Sequence, residues 1–336
     1  MPASSRDAVP ASLSRIRARL SGQRQNAHMT AAAIETSALR KVYGRTVALD
    51  RLDLRVEHGE VFGLLGPNGA GKTTVVKLLL GLARATGGGG TVLGRPLGDR
   101  EVRRRIGYLP ELFRYQAWLT ALEVLELHAT LAGIHGPARA PEIARVLDLA
   151  GIASRSRDRT GGFSKGMQQR LGLAAALLGD PSLVILDEPT SALDPVGRDD
   201  VRGIIREAQT RGSTVLLNSH LLGEVERLCD RVAIVTKGRV VAAGSMTDLL
   251  GEPSVRLQVS ELPADRASLA VFGPLSDEDG WLTIRPLAPE RIPDVVAAVV
   301  ALGGRIHAVD PGRRSLEDLF LNLVRGQDAA AAEDAA

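Results

Sequence analysis

Cysteine is almost absent from this chain of 336 residues: Cys229 stands alone, which excludes an internal disulfide and any cysteine-built metal module. It closes the amphipathic stretch LLGEVERLCD, the setting of a packed core thiol in a reducing compartment. Charge of one sign is lacking too. Lys and Arg number 42 against 39 Asp and Glu, so the formal charge of +3 makes no case for a nucleic-acid partner, although a pI near 9.3 suits phosphate ligands or an anionic membrane surface. No apolar run reaches the roughly 18 to 20 residues that cross a bilayer. The longest, Leu173 to Leu178 and Val295 to Leu302, fit buried helices, so any membrane involvement requires another chain to span it. Aromatics make up 3% of the chain, yet Tyr108, Phe113, Tyr115 and Trp118 fall within eleven residues of one another, which reads as a contact patch, with packing of the helical insertion the alternative for Tyr108 and Phe113.

A hydrophobic content of 44% supports real cores, and the length suits one large domain and one small one. The first 28 residues are rich in Ser and Arg and lack the apolar centre of a secretion signal; residues 1–30 are expected to be a disordered extension, or translation starts at Met29. From Ile34 the pattern becomes regular. Leu52, Leu54 and Val56 alternate as in a half-buried strand, Val61 to Leu65 form a buried strand, and a helix runs from Gly71 to about Leu82. A glycine cluster, Gly87 to Gly90, punctuates the chain before short strands at Thr91 to Leu93 and Ile106 to Leu109. Helical patterns at Leu119 to Leu131, Pro141 to Leu149 and Gly166 to Leu178 give a helical insertion over about 112–178. Strands at Val184 to Leu186, Thr214 to Leu217 and Val232 to Val235 then alternate with helices at Val196 to Gln209 and Leu222 to Leu228, the pattern of a parallel α/β core. A small α+β unit is expected over 251–326: alternating Val255, Leu257 and Val259, a strand at Trp281 to Ile284, a helix at Ile292 to Leu302, a strand at Ile306 to Val309 and a helix from Ser315 to Leu323. The low-complexity ending, 327–336, is expected to be disordered.

Gly66-Pro67-Asn68-Gly69-Ala70-Gly71-Lys72-Thr73 fits a P-loop, placed after a buried strand and before a helix as its chemistry requires. Such a loop aims successive N–H groups at a phosphate, the helix N-terminus adds positive potential, Lys72 reaches the β- and γ-phosphates, and Thr73 can ligate Mg²⁺, with Thr74 beside it. Leu183-Val184-Ile185-Leu186-Asp187-Glu188 delivers two carboxylates at the C-terminal end of a strand, where ligands of open α/β sheets sit. Asp187 is the candidate for the Mg²⁺ shell, and Glu188 for the general base that orients or deprotonates the attacking water. The two motifs together indicate a P-loop NTPase using Mg²⁺ and do not yet say which kind.

Three further segments narrow this. Phe163-Ser164-Lys165-Gly166-Met167-Gln168-Gln169-Arg170 precedes a helix, Ala192-Leu193-Asp194 follows the carboxylate strand, and His220 follows the next. With the P-loop they resemble the ABC ATPase family over about residues 34 to 250. The fold this implies is a P-loop ABC ATPase core with a helical signature subdomain, residues 31–250, plus the small C-terminal α+β domain.

In that family the Leu-Ser-Gly-Gly-Gln signature of one subunit closes over ATP held by the P-loop of the other, which assigns Ser164, Gly166 and Asp194 to nucleotide contacts across a homodimer. Phe163, Lys165 and Met167 depart from the signature, and Lys165 adds a charge near the partner's nucleotide. His220 takes the place of the switch histidine, and Tyr43, in KVYGR, that of the aromatic stacking on adenine. Glu111 stands where the family usually has a Gln facing Mg²⁺ and water; Gln116 serves only if the loop is displaced. The C-terminal segment Arg314-Ser315-Leu316-Glu317-Asp318-Leu319-Phe320 resembles the tail of ATPase subunits from exporters with a separate permease chain. The resemblance thus implies an ATPase peripheral to the cytoplasmic face of the cell membrane, energising export through a separate transmembrane permease, with Tyr115 and Trp118 favoured for docking it. Alternatives are an importer ATPase or a soluble ABC ATPase outside transport; the chain has neither zinc module, long coiled coil nor second cassette.

Overall fold

A computed structural model describes residues 32–333 apart from 192, 264, 279, 313 and 314. The N-terminal extension, Ala192 of the post-strand motif, Arg314 and residues 334–336 therefore lie outside the described residues. Two compact units emerge, dividing between Ala243 and Gly244.

The first unit holds two sheets. Strands β1 (Ile34–Tyr43), β2 (Thr46–Val56), β4 (Gly87–Val92) and β5 (Arg95–Pro96) form an antiparallel sheet in the order β2-β1-β4-β5. Strands β3 (Val61–Leu65), β6 (Ile106–Leu109), β7 (Leu183–Asp187), β8 (Thr214–Asn218), β9 (Arg231–Thr236) and β10 (Arg239–Ser245) form the other, in the order β10-β9-β3-β8-β7-β6. The pairs β9/β3, β3/β8, β8/β7 and β7/β6 are parallel. β3, β7 and β8 are buried at every residue, which is why they read as continuous apolar runs rather than alternating ones. Cys229 packs beneath β3, where burial pushes its thiol pKa up, as a core thiol should.

The glycine cluster is not a break before a strand; the glycines are the strand. β4 begins at Gly87 and pairs with β1 through Gly90 opposite Thr36 and Gly89 opposite Ser37. A β-carbon on Gly90 would lie 2.3 Å from the Glu35 carbonyl, and one on Gly88 would lie 2.1 Å from that of Ala38. Close backbone approach is what Gly90 requires, and Gly88, at φ 64°, needs glycine's left-handed conformation as well.

Helix α1 (Lys72–Leu79) follows β3 and stops short of Leu82. After the short α2 (Arg100–Arg103) and β6 comes the helical insertion: α3 (Ala121–Leu131), α4 (Arg139–Leu149) and α5 (Lys165–Ala176). Thr120 and Glu123 form a reciprocal capping box at the start of α3, and Ser164 caps α5 by accepting from Met167 N–H. Helix α6 (Pro195–Thr210) joins β7 to β8, with Asp194 as its N-cap, and α7 (Leu222–Leu228) joins β8 to β9.

The second unit starts earlier than the composition shift near Pro253 suggests. Helix α8 (Met246–Leu250), capped by Ser245 and Asp248, buries Leu249 and Leu250 and packs against the C-terminal helix α10 (Leu316–Glu333). That helix runs through residues 327–333, which the composition alone marks as disordered. Between them, β11 (Val255–Ser260), β12 (Leu275–Glu278), β13 (Trp281–Ile284) and β14 (Arg305–Asp310) form an antiparallel sheet in the order β12-β13-β11-β14. β12 was not foreseen. Val255, Leu257, Leu282 and Ile284 pack with Val295 and Val299 of helix α9 (Ile292–Ala301) to make its core.

Candidate nucleotide site

The site grows from the carboxyl ends of three adjacent parallel strands, β3, β8 and β7. β3 runs into the P-loop. Gly66 (φ 158°) and Gly71 (φ 106°) cannot carry a side chain, because a β-carbon would lie 2.2 Å from the Val235 carbonyl and 2.6 Å from the Ala48 carbonyl respectively. The loop is pinned from outside as well: Ala70 N–H donates to Pro67 O, and Gly238 N–H donates to Ala70 O at 3.0 Å. Asn68, Gly69 and Thr73 remain exposed, Pro67 and Thr74 half-buried, and nothing would crowd a β-carbon at Gly69. Backbone N–H groups and a helix start thus face open space, the geometry that holds phosphate.

Lys72 folds its ammonium back on the loop, donating to Gly66 O at 2.6 Å and Pro67 O at 3.2 Å. Burial lowers its pKa, while the charges of Glu188, Asp187 and Glu111 oppose that shift. Glu111 is exposed, and its charge acts on Lys72, Asp187 and Tyr108.

Asp187 ends β7 at 3% exposure, and burial raises its carboxyl pKa, opposed by a hydrogen bond from Asn218. Glu188, at 7% exposure, takes a left-handed backbone, φ 54°, a conformation that costs a residue with a side chain about 1–3 kcal/mol and persists only where its surroundings impose it. The surroundings are visible. Glu188 N–H donates to Asn218 O at 2.8 Å; its Oε1 accepts from His220 N–H at 2.9 Å and lies 2.8 Å from His220 Nδ1; Ser219 Oγ approaches Oε2 at 3.5 Å. The base candidate and the switch-histidine candidate are therefore in direct contact.

Asn218 and Ser219 are the functional positions that motif reading missed. A signal existed: Leu183-Val-Ile-Leu-Asp187 and Thr214-Val-Leu-Leu-Asn218 both end an apolar run on a polar residue, and the strands pair in register, Asp187 opposite Asn218.

The remaining candidates sit apart from this cluster. Ser164 is exposed at the start of α5 and its hydroxyl is engaged with Met167 N–H; among the described residues it shares no hydrogen bond with the P-loop. Gly166 lies against Leu193, and Asp194 accepts from Gly197 N–H at 2.7 Å. Tyr43 is 45% exposed at the end of β1, with the Lys41 ammonium 4.6 Å from its ring centroid. Because Lys41 pairs with Leu49, and Ala48 and Leu49 lie against Gly71, the β1–β2 hairpin tip sits beside the start of α1.

The aromatic cluster divides. Tyr115 is not a free docking residue: its ring packs 5.4 Å from Phe113 and edge-on to His128 at 6.0 Å, and burial raises its hydroxyl pKa. Trp118 is 70% exposed.

A P-loop at the end of a central parallel strand, with two carboxylates on the neighbouring strand but one, defines a nucleoside triphosphatase. The matches say which. Residues 49–191 fit the ABC transporter family model. An ABC transporter ATP-binding protein of Nostoc sp. (strain PCC 7120) is 42% identical over 90% of this chain and 92% of its own. The Nod factor export ATP-binding protein I of Cupriavidus pinatubonensis is 35% identical over 87% and 90%, and the bacitracin transport ATP-binding protein of Bacillus licheniformis 41% identical over 62% and 68%. Among solved structures, an ATP-binding subunit of an ABC transporter superposes with TM-score 0.60 at 32% identity, covering 65% of this chain and 91% of its own. A dimeric bacterial ABC transporter cassette superposes with TM-score 0.58 at 26% identity, covering 63% and 98%. The chain belongs to the ATP-binding subunits of ABC transporters, and it is an ATPase.

Whether the residues present suit Mg²⁺ follows from their chemistry. The donors at hand are hard oxygens, the Asp187 carboxylate and the Thr73 hydroxyl, and beside Asp187 the Asn218 Oδ1 atom is buried without a protein partner. Oxygen donors of this kind, few in number and completed by substrate phosphates, fit Mg²⁺. Among the described residues there is no cluster of three or more His, Cys, Asp or Glu able to hold a metal ion.

Proposed function

We propose that two copies of this chain close on two ATP and thereby drive a separate membrane permease that exports its substrate. The exposed Ser164 terminus of α5, unattached to its own P-loop, carries this reading: the hydroxyl oxygen accepts from Met167 N–H but its hydrogen can still be donated, with the first turn of α5 at Gly166, to the phosphate held by a second copy. The dimeric cassette among the similar structures and the export function of the Nod factor relatives support it.

Within each copy, Lys72 exchanges the Gly66 and Pro67 carbonyls for phosphate oxygens when nucleotide arrives. Thr73 and Asp187 would hold Mg²⁺, which would supply charge neutralisation at the phosphates. Glu188 receives the proton of the attacking water, and His220 keeps its carboxylate aimed. Tyr43 stacks on the adenine, Asp194 lies on the dimer face, and Glu111 adds a carboxylate to the metal side of the site.

The permease docks beside the helical insertion. A cavity of about 250 Å³ there is lined by Arg103, Arg104, Tyr108, His128, Leu131 and Ala132 among others. Leu112, Trp118 and Leu131 are exposed at 88%, 70% and 70%, apolar surface suited to a partner at the membrane's cytoplasmic face. Among the described residues no helix is long and apolar enough to cross the bilayer itself.

Light scattering of the Glu188→Gln variant tests the core of this. An MgATP-dependent dimer, lost in Ser164→Arg and in Lys72→Ala, is expected; a dimer indifferent to Ser164→Arg overturns the composite site.

A further inference from the structure

β8 ends at Asn218, Ser219 and His220 follow it, and each of the three touches a carboxylate at or just past the end of β7. Ser219 and His220 hold the Glu188 carboxylate; Asn218 reaches both acidic residues, the carboxylate of Asp187 and the main chain of Glu188. Its side-chain amide donates to Asp187 Oδ1 at 2.5 Å, and its backbone carbonyl accepts from Glu188 N–H at 2.8 Å. The amide orientation is fixed by chemistry, since a carboxylate oxygen must face the NH₂ and not the carbonyl. That leaves Oδ1 of a residue 3% exposed without a protein partner, beside the carboxylate proposed to hold the cation. Buried acceptors are almost always satisfied, and one left over beside a charged site calls for a donor that arrives with the ligand.

We propose that Asn218 is a positioning residue of the metal site: its NH₂ occupies one oxygen of Asp187 so that the other is presented to Mg²⁺, and its free Oδ1 accepts a hydrogen from a water of the cation's shell. Through its carbonyl it holds Glu188 in register with the same carboxylate. This rests on the reading of Asp187 as the Mg²⁺ residue. A structural tie between β7 and β8 is the competing account, and it predicts loss of stability without a specific loss of metal.

The test uses the full chain, ADP, and Mn²⁺ as a paramagnetic probe in place of Mg²⁺. In Asn218→Leu the Mn²⁺ affinity of the ADP complex is expected to fall about tenfold to a hundredfold, the range for outer-shell partners of metal ligands. ADP affinity in EDTA stays within about twofold of wild type. Asp187→Asn combined with Asn218→Leu is expected to lose no more than Asp187→Asn alone, because groups that act through one another are non-additive. Asn218→Ser, which is smaller and cannot reach Asp187 with an amide, gives the same readout if the leucine variant fails to fold. Unchanged Mn²⁺ affinity, or an equal loss of ADP binding with and without metal, overturns the assignment of Asn218. A wild-type chain whose ADP binding ignores Mn²⁺ overturns the metal reading beneath it.

Discussion

The two units of this chain solve different problems, and the first buries far more apolar surface than the second. In the first, buried polar groups cluster at the end of a parallel sheet: Asp187, Glu188, Thr190, Asn218 and Ser219 are each at most 7% exposed. In the second, buried polar side chains among the described residues are Ser254 and Thr283, set around an antiparallel sheet whose inner face is wholly aliphatic. Buried charge opposes folding unless it is paired, so a unit that retains two adjacent buried carboxylates does so for the chemistry they carry. The solved ATP-binding subunit covers 65% of this chain, whereas the Nostoc relative covers 90%, so the second unit travels with sequence relatives beyond the catalytic core.

The sharpest way to break the contrast is to remove chemistry without removing structure. Glu188→Gln is expected to cut steady-state ATP hydrolysis by about a hundredfold to ten-thousandfold, measured by phosphate release, with ATP binding retained. The converse damages the other unit: Leu257→Ala, at a position with no exposure, should cost about 2–5 kcal/mol. It should appear in calorimetry as a separate, lower transition while nucleotide affinity stays within twofold. A shared transition would mean that the units unfold as one.

A smaller effect sharpens the claim about buried charge. Burial raises the Asp187 pKa above its unfolded value, so the stability tied to its neutral form is present below the unfolded carboxylate pKa and lost as pH rises through the folded one. Asp187→Asn, which stays neutral, is therefore expected to melt higher than wild type without nucleotide at pH 8. The difference should shrink to nothing as the pH falls below about 4. His128 has the opposite sign: burial lowers its pKa, so the helical insertion loses stability as pH falls below the ordinary imidazole value, and hydrogen exchange in α3 should quicken there. The smallest effect concerns the aromatic cluster. Trp118→Ala should leave the melting temperature within about 1 °C yet abolish co-purification with the permease, since an exposed side chain away from buried contacts contributes little to folding. Tyr115→Ala, in contrast, should lower stability through its contacts with Phe113 and His128.

Much of the first unit was legible because its signals are local. The P-loop reads from eight consecutive residues, and β3, β7 and β8 read from continuous apolar runs whose length admits no helix. The glycine strand β4 was illegible for the opposite reason: glycine marks both turns and close backbone approaches, and only the Glu35 and Ala38 carbonyls beneath it show which applies. Tyr115 and Trp118, three positions apart in one loop, look alike in sequence and part company in space.

What the sequence determined by itself was the inventory of this ATPase: the phosphate loop, the two carboxylates, the histidine, the helical insertion and the α+β tail, each written in a short segment whose geometry follows from φ/ψ preference and periodicity. What only the tertiary structure decided was adjacency across 31 and 32 residues of chain. Asp187 meets Asn218, and Glu188 meets His220, because parallel pairing sets β7 and β8 in register. No pattern confined to one strand can specify what its neighbour brings to the same end of the sheet.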